Sequence, residues 1–156
     1  MADEMALLVA DVYEAAGVLR RSGEGVAAAE GQTQARWQLL SVVSERALTV
    51  AQAARRLGIS RQGVQRVAND LVGERLAAFE ANPDHRGSPL LGLTSAGRRT
   101  LRRITERAAE AHRAWGEGVA EDEIASARAV LRRVIEQVRH HEDGGGARGG
   151  AGGRSG

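Results

Sequence analysis

The sequence predicts a mainly helical protein carrying one small β-hairpin. Three observations lead there. The chain is rich in Ala and Leu, with a hydrophobic fraction of 42% and only 2 Pro, a composition that favours helix. Apolar side chains recur at steps of three and four over long stretches, which is the repeat of one helix face. Two short apolar runs, at residues 76–80 and 90–93, flank a polar, proline-containing turn, a pattern that suits a hairpin.

Taken in order, residues 5–22 place Met5, Leu8, Val12, Ala15, Ala16 and Leu19 on one stripe, and Gly23, Gly25 and Gly31 are expected to break that helix. A second helix is expected over residues 34–45, with Trp37, Leu40 and Val43 turned inward. Thr49 opens the third as its N-cap, and Gln52, three residues on, completes a capping-box pattern. That helix ends at Leu57 before a short break, Gly58-Ile59-Ser60. Ser60 then caps a fourth helix reaching about residue 72 or 73, with Val64, Val67, Ala68, Leu71 and Val72 on one face.

The turn at residues 82–89 is too long for a two-residue hairpin loop, so its tip is expected to project as a wing. Thr94 caps a long helix to about residue 115, which Gly116 and Gly118 interrupt. Glu121, Asp122 and Glu123 begin a last helix, where acids complement the dipole. Along it Ile124, Ala127, Leu131, Val134 and Val138 form a seam for helix–helix packing. Residues 143–156 have almost no apolar content and are expected to be a disordered, Gly-rich tail.

Composition removes several function classes. With no Cys, there are no disulfides, thiolate nucleophiles, redox pairs or Cys-ligated zinc. One Tyr, one Phe and two Trp argue against a site built on stacked rings. There is no run of 18 apolar residues, and the acidic start lacks the basic stretch of a signal peptide; the expectation is a soluble cytoplasmic protein without a membrane partner. At 156 residues the chain fits one domain, expected over residues 1–142.

The net charge of +2 hides an uneven distribution. Residues 55–113 carry 12 Arg against 6 acids, whereas residues 1–54 carry 4 against 7 and residues 114–156 carry 6 against 7. A basic centre suits a module that faces a polyanion, and it equally suits an ordinary solvated helical surface. Charge alone does not choose between them.

Ala54, Gly58 and Val64 do choose. A helix-turn-helix needs a small residue where its first helix packs on its second, a glycine for the left-handed turn, and a branched apolar anchor in the second helix. Both N-caps and the hairpin just downstream strengthen this reading into a winged helix-turn-helix lobe. On the second helix, Arg61, Gln62, Gln65, Arg66 and Asn69 lie away from the apolar face. Arg reads guanine bidentately and Gln or Asn reads adenine, so these are side chains that major-groove readout requires. Ser60, at the helix start, is placed to bond a phosphate.

These segments resemble the MarR family of winged helix-turn-helix regulators. The matching stretches are LTVAQAARRLGISRQGVQRVANDLV (residues 48–72) and NPDHRGSPLLGLTSAGRR (residues 82–99), the second similar to the family's wing signature. The resemblance covers the chain apart from its tail. It implies a DNA-binding lobe over about 34–97 and dimerisation helices over about 5–22 and 98–142, interlocked between two subunits. It further implies that Arg86 enters a minor groove, whose narrowness attracts an inserted Arg. Asp84 would support the wing by pairing with Arg86 or by capping turn amides. Gly87 and Pro89 stand where the family often has basic residues, so fewer phosphate contacts are expected there.

The resemblance also implies an effector pocket between lobe and dimer helices, with Tyr13, Trp37, His112 and Trp115 as its candidate residues. His85, at the wing tip, either touches phosphate or has no role. His140, His141, Glu142 and Asp143 lack the fixed, buried geometry of a metal site, and no catalytic set or cofactor motif stands out. The expectation is a non-enzymatic regulator that binds double-stranded DNA as a homodimer on a pseudo-palindromic operator. It would be a repressor, with activation left open and release by a small molecule implied by the resemblance. The rival reading is a winged-helix adaptor that has lost DNA binding.

Overall fold

A computed structural model describes residues 3–146. Six helices and one two-stranded sheet follow in the order α1 (Glu4–Ala28), α2 (Gln34–Ser44), α3 (Val50–Leu57), α4 (Arg61–Gly73), β1 (Ala77–Glu80), β2 (Leu90–Leu93), α5 (Ser95–Trp115) and α6 (Glu121–Gly146). The chain divides into two compact units, with the boundary between His112 and Arg113.

Side-chain caps set the starts of the helices in the first unit. The Asp3 carboxylate accepts from the Met5 amide at 3.0 Å, and the Thr33 hydroxyl from the Arg36 amide at 3.2 Å. At α3 the capping box is complete: the Gln52 amide donates to Thr49 Oγ1 at 3.1 Å, and the Thr49 amide to Gln52 Oε1 at 3.0 Å. The Ser60 hydroxyl accepts from the Gly63 amide at 3.0 Å, and Thr94 Oγ1 from the Gly97 amide at 3.0 Å. Gly58 sits at φ 67°, the left-handed position that turns α3 into α4.

The first helix departs from expectation at its C-terminal boundary. α1 does not break at Gly23 or Gly25 but continues to Ala28. Gly23 is a contact residue: a Cβ there would come within 2.9 Å of Gln34 Cγ, so the missing side chain lets α2 approach. The chain turns only afterwards, at Gly31. On α2, Leu39, Leu40 and Val43 are buried, while Trp37 is only half-buried against the core.

β1 and β2 are antiparallel, with Ala77 opposite Leu93 and Glu80 opposite Leu90. Leu48 adds an isolated bridge to Leu91, its amide donating at 3.0 Å and its carbonyl accepting at 2.7 Å. The hairpin is thereby tied to the start of the helix-turn-helix. Leu39, Leu40, Leu48, Val64, Leu71, Leu91 and Ile104 form the centre of the core, which draws on α2, α4, the sheet and α5.

The second unit holds the end of α5, a turn at Gly118 and α6. Glu123 caps the start of α6 by accepting from the Ala120 amide at 2.9 Å. α6 runs through Gly146, into the stretch expected to be tail, because extending a helix already under way costs far less than starting one. The rest of that expected tail, residues 147–156, lies outside the described residues.

Candidate nucleic-acid interface

α4 has two chemically distinct sides. Val64, Ala68 and Leu71 are buried, whereas Ser60, Arg61, Gln62, Gln65, Arg66 and Asn69 are all exposed. The helical repeat sets Gln62, Arg66 and Asn69 most directly opposite the buried residues. Gln65 lies on the flank, and its Nε2 donates to Asn69 Oδ1 at 2.9 Å across one turn.

The acids of this helix are confined to its far end and are partly neutralised. Arg36, from α2, meets Glu74 at 2.7 Å and Asp70 at 3.7 Å, and it also donates to Gln32 Oε1 at 3.4 Å. Arg36 was not among the residues singled out from sequence. Its partners lie 34 and 38 residues away, and no local pattern announces such a pairing.

The wing tip is knitted by Asn82. Its Nδ2 donates to the Ser88 carbonyl at 2.9 Å, and its Oδ1 accepts from the Asp84 amide at 3.1 Å. Asp84 and Arg86 are both exposed, and no ion pair joins them among the described residues. Asn82 thus holds the turn through bonds at both ends of its amide, as an Asn-Pro start favours. That dipeptide was the legible signal. Between α4 and the wing opens a cleft of about 450 Å³, lined by Thr49, Arg61, Gln62 and Gln65 on one side and Phe79 and Ser88 on the other.

The four residues considered for an effector pocket lie in different settings. Tyr13 is 77% exposed on α1 and Trp37 packs on the core, both in the first unit. His112 closes that unit, and Trp115 belongs to the second. Among the described residues, no group of three His, Asp or Glu is arranged to hold a metal ion. Elsewhere, the Glu30 carboxylate accepts from Arg107 Nε at 2.7 Å and Arg103 Nε at 2.8 Å, joining the end of α1 to α5. Those bonds, Arg107's first, hold Glu30 below the usual carboxylate range.

Three comparisons bear on the family. The MarR family model matches residues 31–86. A protein of Mycobacterium tuberculosis, Rv2011c, is 64% identical over 139 residues, covering 89% of this chain and 97% of that protein. Among solved structures, the transcriptional regulator BldR from Sulfolobus solfataricus superposes with a TM-score of 0.80 at 13% identity, covering 86% of this chain and 96% of its own. CouR from Rhodococcus jostii RHA1, bound to p-coumaroyl-CoA, gives 0.72 at 19% identity, covering 85% of this chain and 92% of its own. With six helices, a two-stranded hairpin and a capped helix-turn-helix among its described residues, the chain belongs to the MarR family and has the winged-helix fold of that family's transcriptional regulators.

Proposed function

We propose that this protein is a sequence-specific DNA-binding transcriptional regulator without enzymatic activity, a homodimeric repressor of a pseudo-palindromic operator. One observation carries the reading: the outward side of α4 is exposed, free of acid in its N-terminal half, and stocked with Arg, Gln and Asn beside a projecting wing. That combination matches what base edges in a major groove require. Arg86, exposed at the wing, is the group for the adjacent minor groove, and Ser60 for a phosphate at the helix start.

A second copy of the chain is the natural occupant of the uncovered part of α1. Met5, Val12 and Leu19 are 51%, 41% and 52% exposed, yet they continue the stripe on which Gly23 and Ala27 are buried. Dimerisation would pair two recognition helices on two half-sites about one helical turn apart. CouR was crystallised with an acyl-CoA thioester; by analogy a small-molecule effector would release this protein, with Tyr13, Trp37, His112 and Trp115 as the residues to inspect.

The test is a gel shift and footprint with purified protein on the DNA flanking its own gene, against a random duplex of equal length. Two protected half-sites about 10 base pairs apart, bound well above the random duplex, are expected. Equal, weak binding to both duplexes overturns the reading and favours the adaptor alternative.

A further inference from the structure

A second cleft, also of about 450 Å³, lies on the opposite face of the hairpin from the first. The register places Phe79 opposite Leu91 and Glu80 opposite Leu90, and neighbouring residues on a strand point to opposite faces. Phe79 lines the first cleft and Leu90 the second, while Thr49 and Ser88 form a rim common to both. The second cleft is therefore continuous with the recognition helix's surroundings, one wing-thickness away.

Its chemistry is that of an anion seat. Arg46 from the α2–α3 turn and Arg55 from the outer side of α3 line it, with His85 from the wing; Asp84 is the one carboxylate. Both arginines are exposed, and among the described residues neither has an ion-pair or hydrogen-bond partner. The adjacent Arg56, by contrast, is engaged by Glu45 at 3.6 Å.

We propose that this cleft seats a phosphodiester of the DNA strand on the far side of the minor groove that the wing enters, with Arg46 and Arg55 as its charge partners. A hairpin tip inside a minor groove, about 6 Å wide, has one backbone along each of its faces. The strand dividing the major from the minor groove falls to the first cleft, between α4 and the wing. The other strand falls to the second. The first helix of a helix-turn-helix crosses the backbone, and Arg55 is exposed on that helix, lining the cleft. This rests on the DNA-binding reading above, and it adds two contacts to it.

The experiment is a salt titration of duplex affinity for wild type, Arg46→Ala, Arg55→Ala and the double variant, with Arg99→Ala on α5 as control. Arg46→Gln with Arg55→Gln replaces the double alanine variant if its melt is not that of wild type. Each neutralised phosphate contributes about 0.9 to the slope of log affinity against log salt, so the double variant, which gives up one phosphodiester, should lose about 0.9, equally on operator and random duplex, with the control unchanged. A wild-type slope in the double variant overturns this assignment alone. Wild-type protein that binds no duplex overturns it together with the function on which it rests. Inorganic phosphate is titrated in parallel; saturable binding that the double variant loses, without any change in slope, gives the cleft to a free anion and overturns the DNA assignment.

Discussion

The hydrogen bond between Gln65 and Asn69 limits what each amide can offer a base. Gln65 Nε2 donates one of its two N–H groups and Asn69 Oδ1 uses one of its two lone pairs, so the Gln65 oxygen and the Asn69 amino group are the groups left wholly open to a partner. On the proposed operator, Gln65→Ala or Arg66→Ala should cost about 1–3 kcal/mol against the preferred sequence and much less against a random duplex. Because Gln65 orients Asn69, the double variant Gln65→Ala with Asn69→Ala should lose less than the two single losses combined, as residues sharing a bond are not additive. Strict additivity in a fluorescence anisotropy cycle would show that the pair does not act as one reader. Arg86→Ala should lower the salt slope by about 0.9, the signature of one lost charge contact rather than of lost base reading. At this scale the sequence was legible where chemistry is local. Thr49, Ser60 and Thr94 cap amides within three residues, so they could be read from spacing. Arg36 could not, since only the fold brings it to Asp70 and Glu74.

Among the elements, helix boundaries were harder to read than helix existence. The glycines at positions 23 and 25 were expected to end α1, but Gly23 is where α2 needs room. A glycine that breaks a helix and one that admits a neighbour look alike in sequence; the distinction lies in what packs against it. Gly97 makes a similar point at the root of the wing. A Cβ there would overlap the Leu76 carbonyl, a backbone group that cannot swing aside. Thr94 reinforces the same junction by donating to the Arg75 carbonyl at 2.7 Å. Gly97→Ala should therefore destabilise the first unit by about 1–3 kcal/mol, the ordinary cost of overpacking, in a urea melt. A midpoint unchanged from wild type would mean that α5 can shift without loss.

For the whole molecule, the fold class was legible because the helical repeat, the caps and the hairpin all agree. What a second copy would cover was not, since an exposed Val12 and a buried one have the same spacing. Val12→Glu should leave the melt of the lobe unchanged while shifting sedimentation from dimer to monomer and weakening operator binding at least tenfold. A dimer that persists would move the proposed interface off this stripe. The Glu30 clamp should set part of the acid limb of stability. Its carboxylate is held below the usual range, so its contribution is fully present above the unfolded value of about 4.3 and is lost as pH falls through the lower folded value. The difference in Tm between wild type and Glu30→Gln should be constant above about pH 5 and close on acidification. A difference that does not vary with pH would assign the loss to geometry rather than charge.

Arg36 has a bearing on how quickly the protein would find its target. It holds two carboxylates at the C-terminal end of α4, the helix proposed to face the duplex. Without that cation, Asp70 and Glu74 would project an uncompensated negative field toward incoming phosphates before any contact forms. Such a field acts over a Debye length, about 10 Å at 0.1 M salt, so it slows encounter more than it shortens the life of the complex. In the proposed complex the clamp would act as a diffusional gatekeeper, strongest in dilute buffer and fading as ionic strength rises.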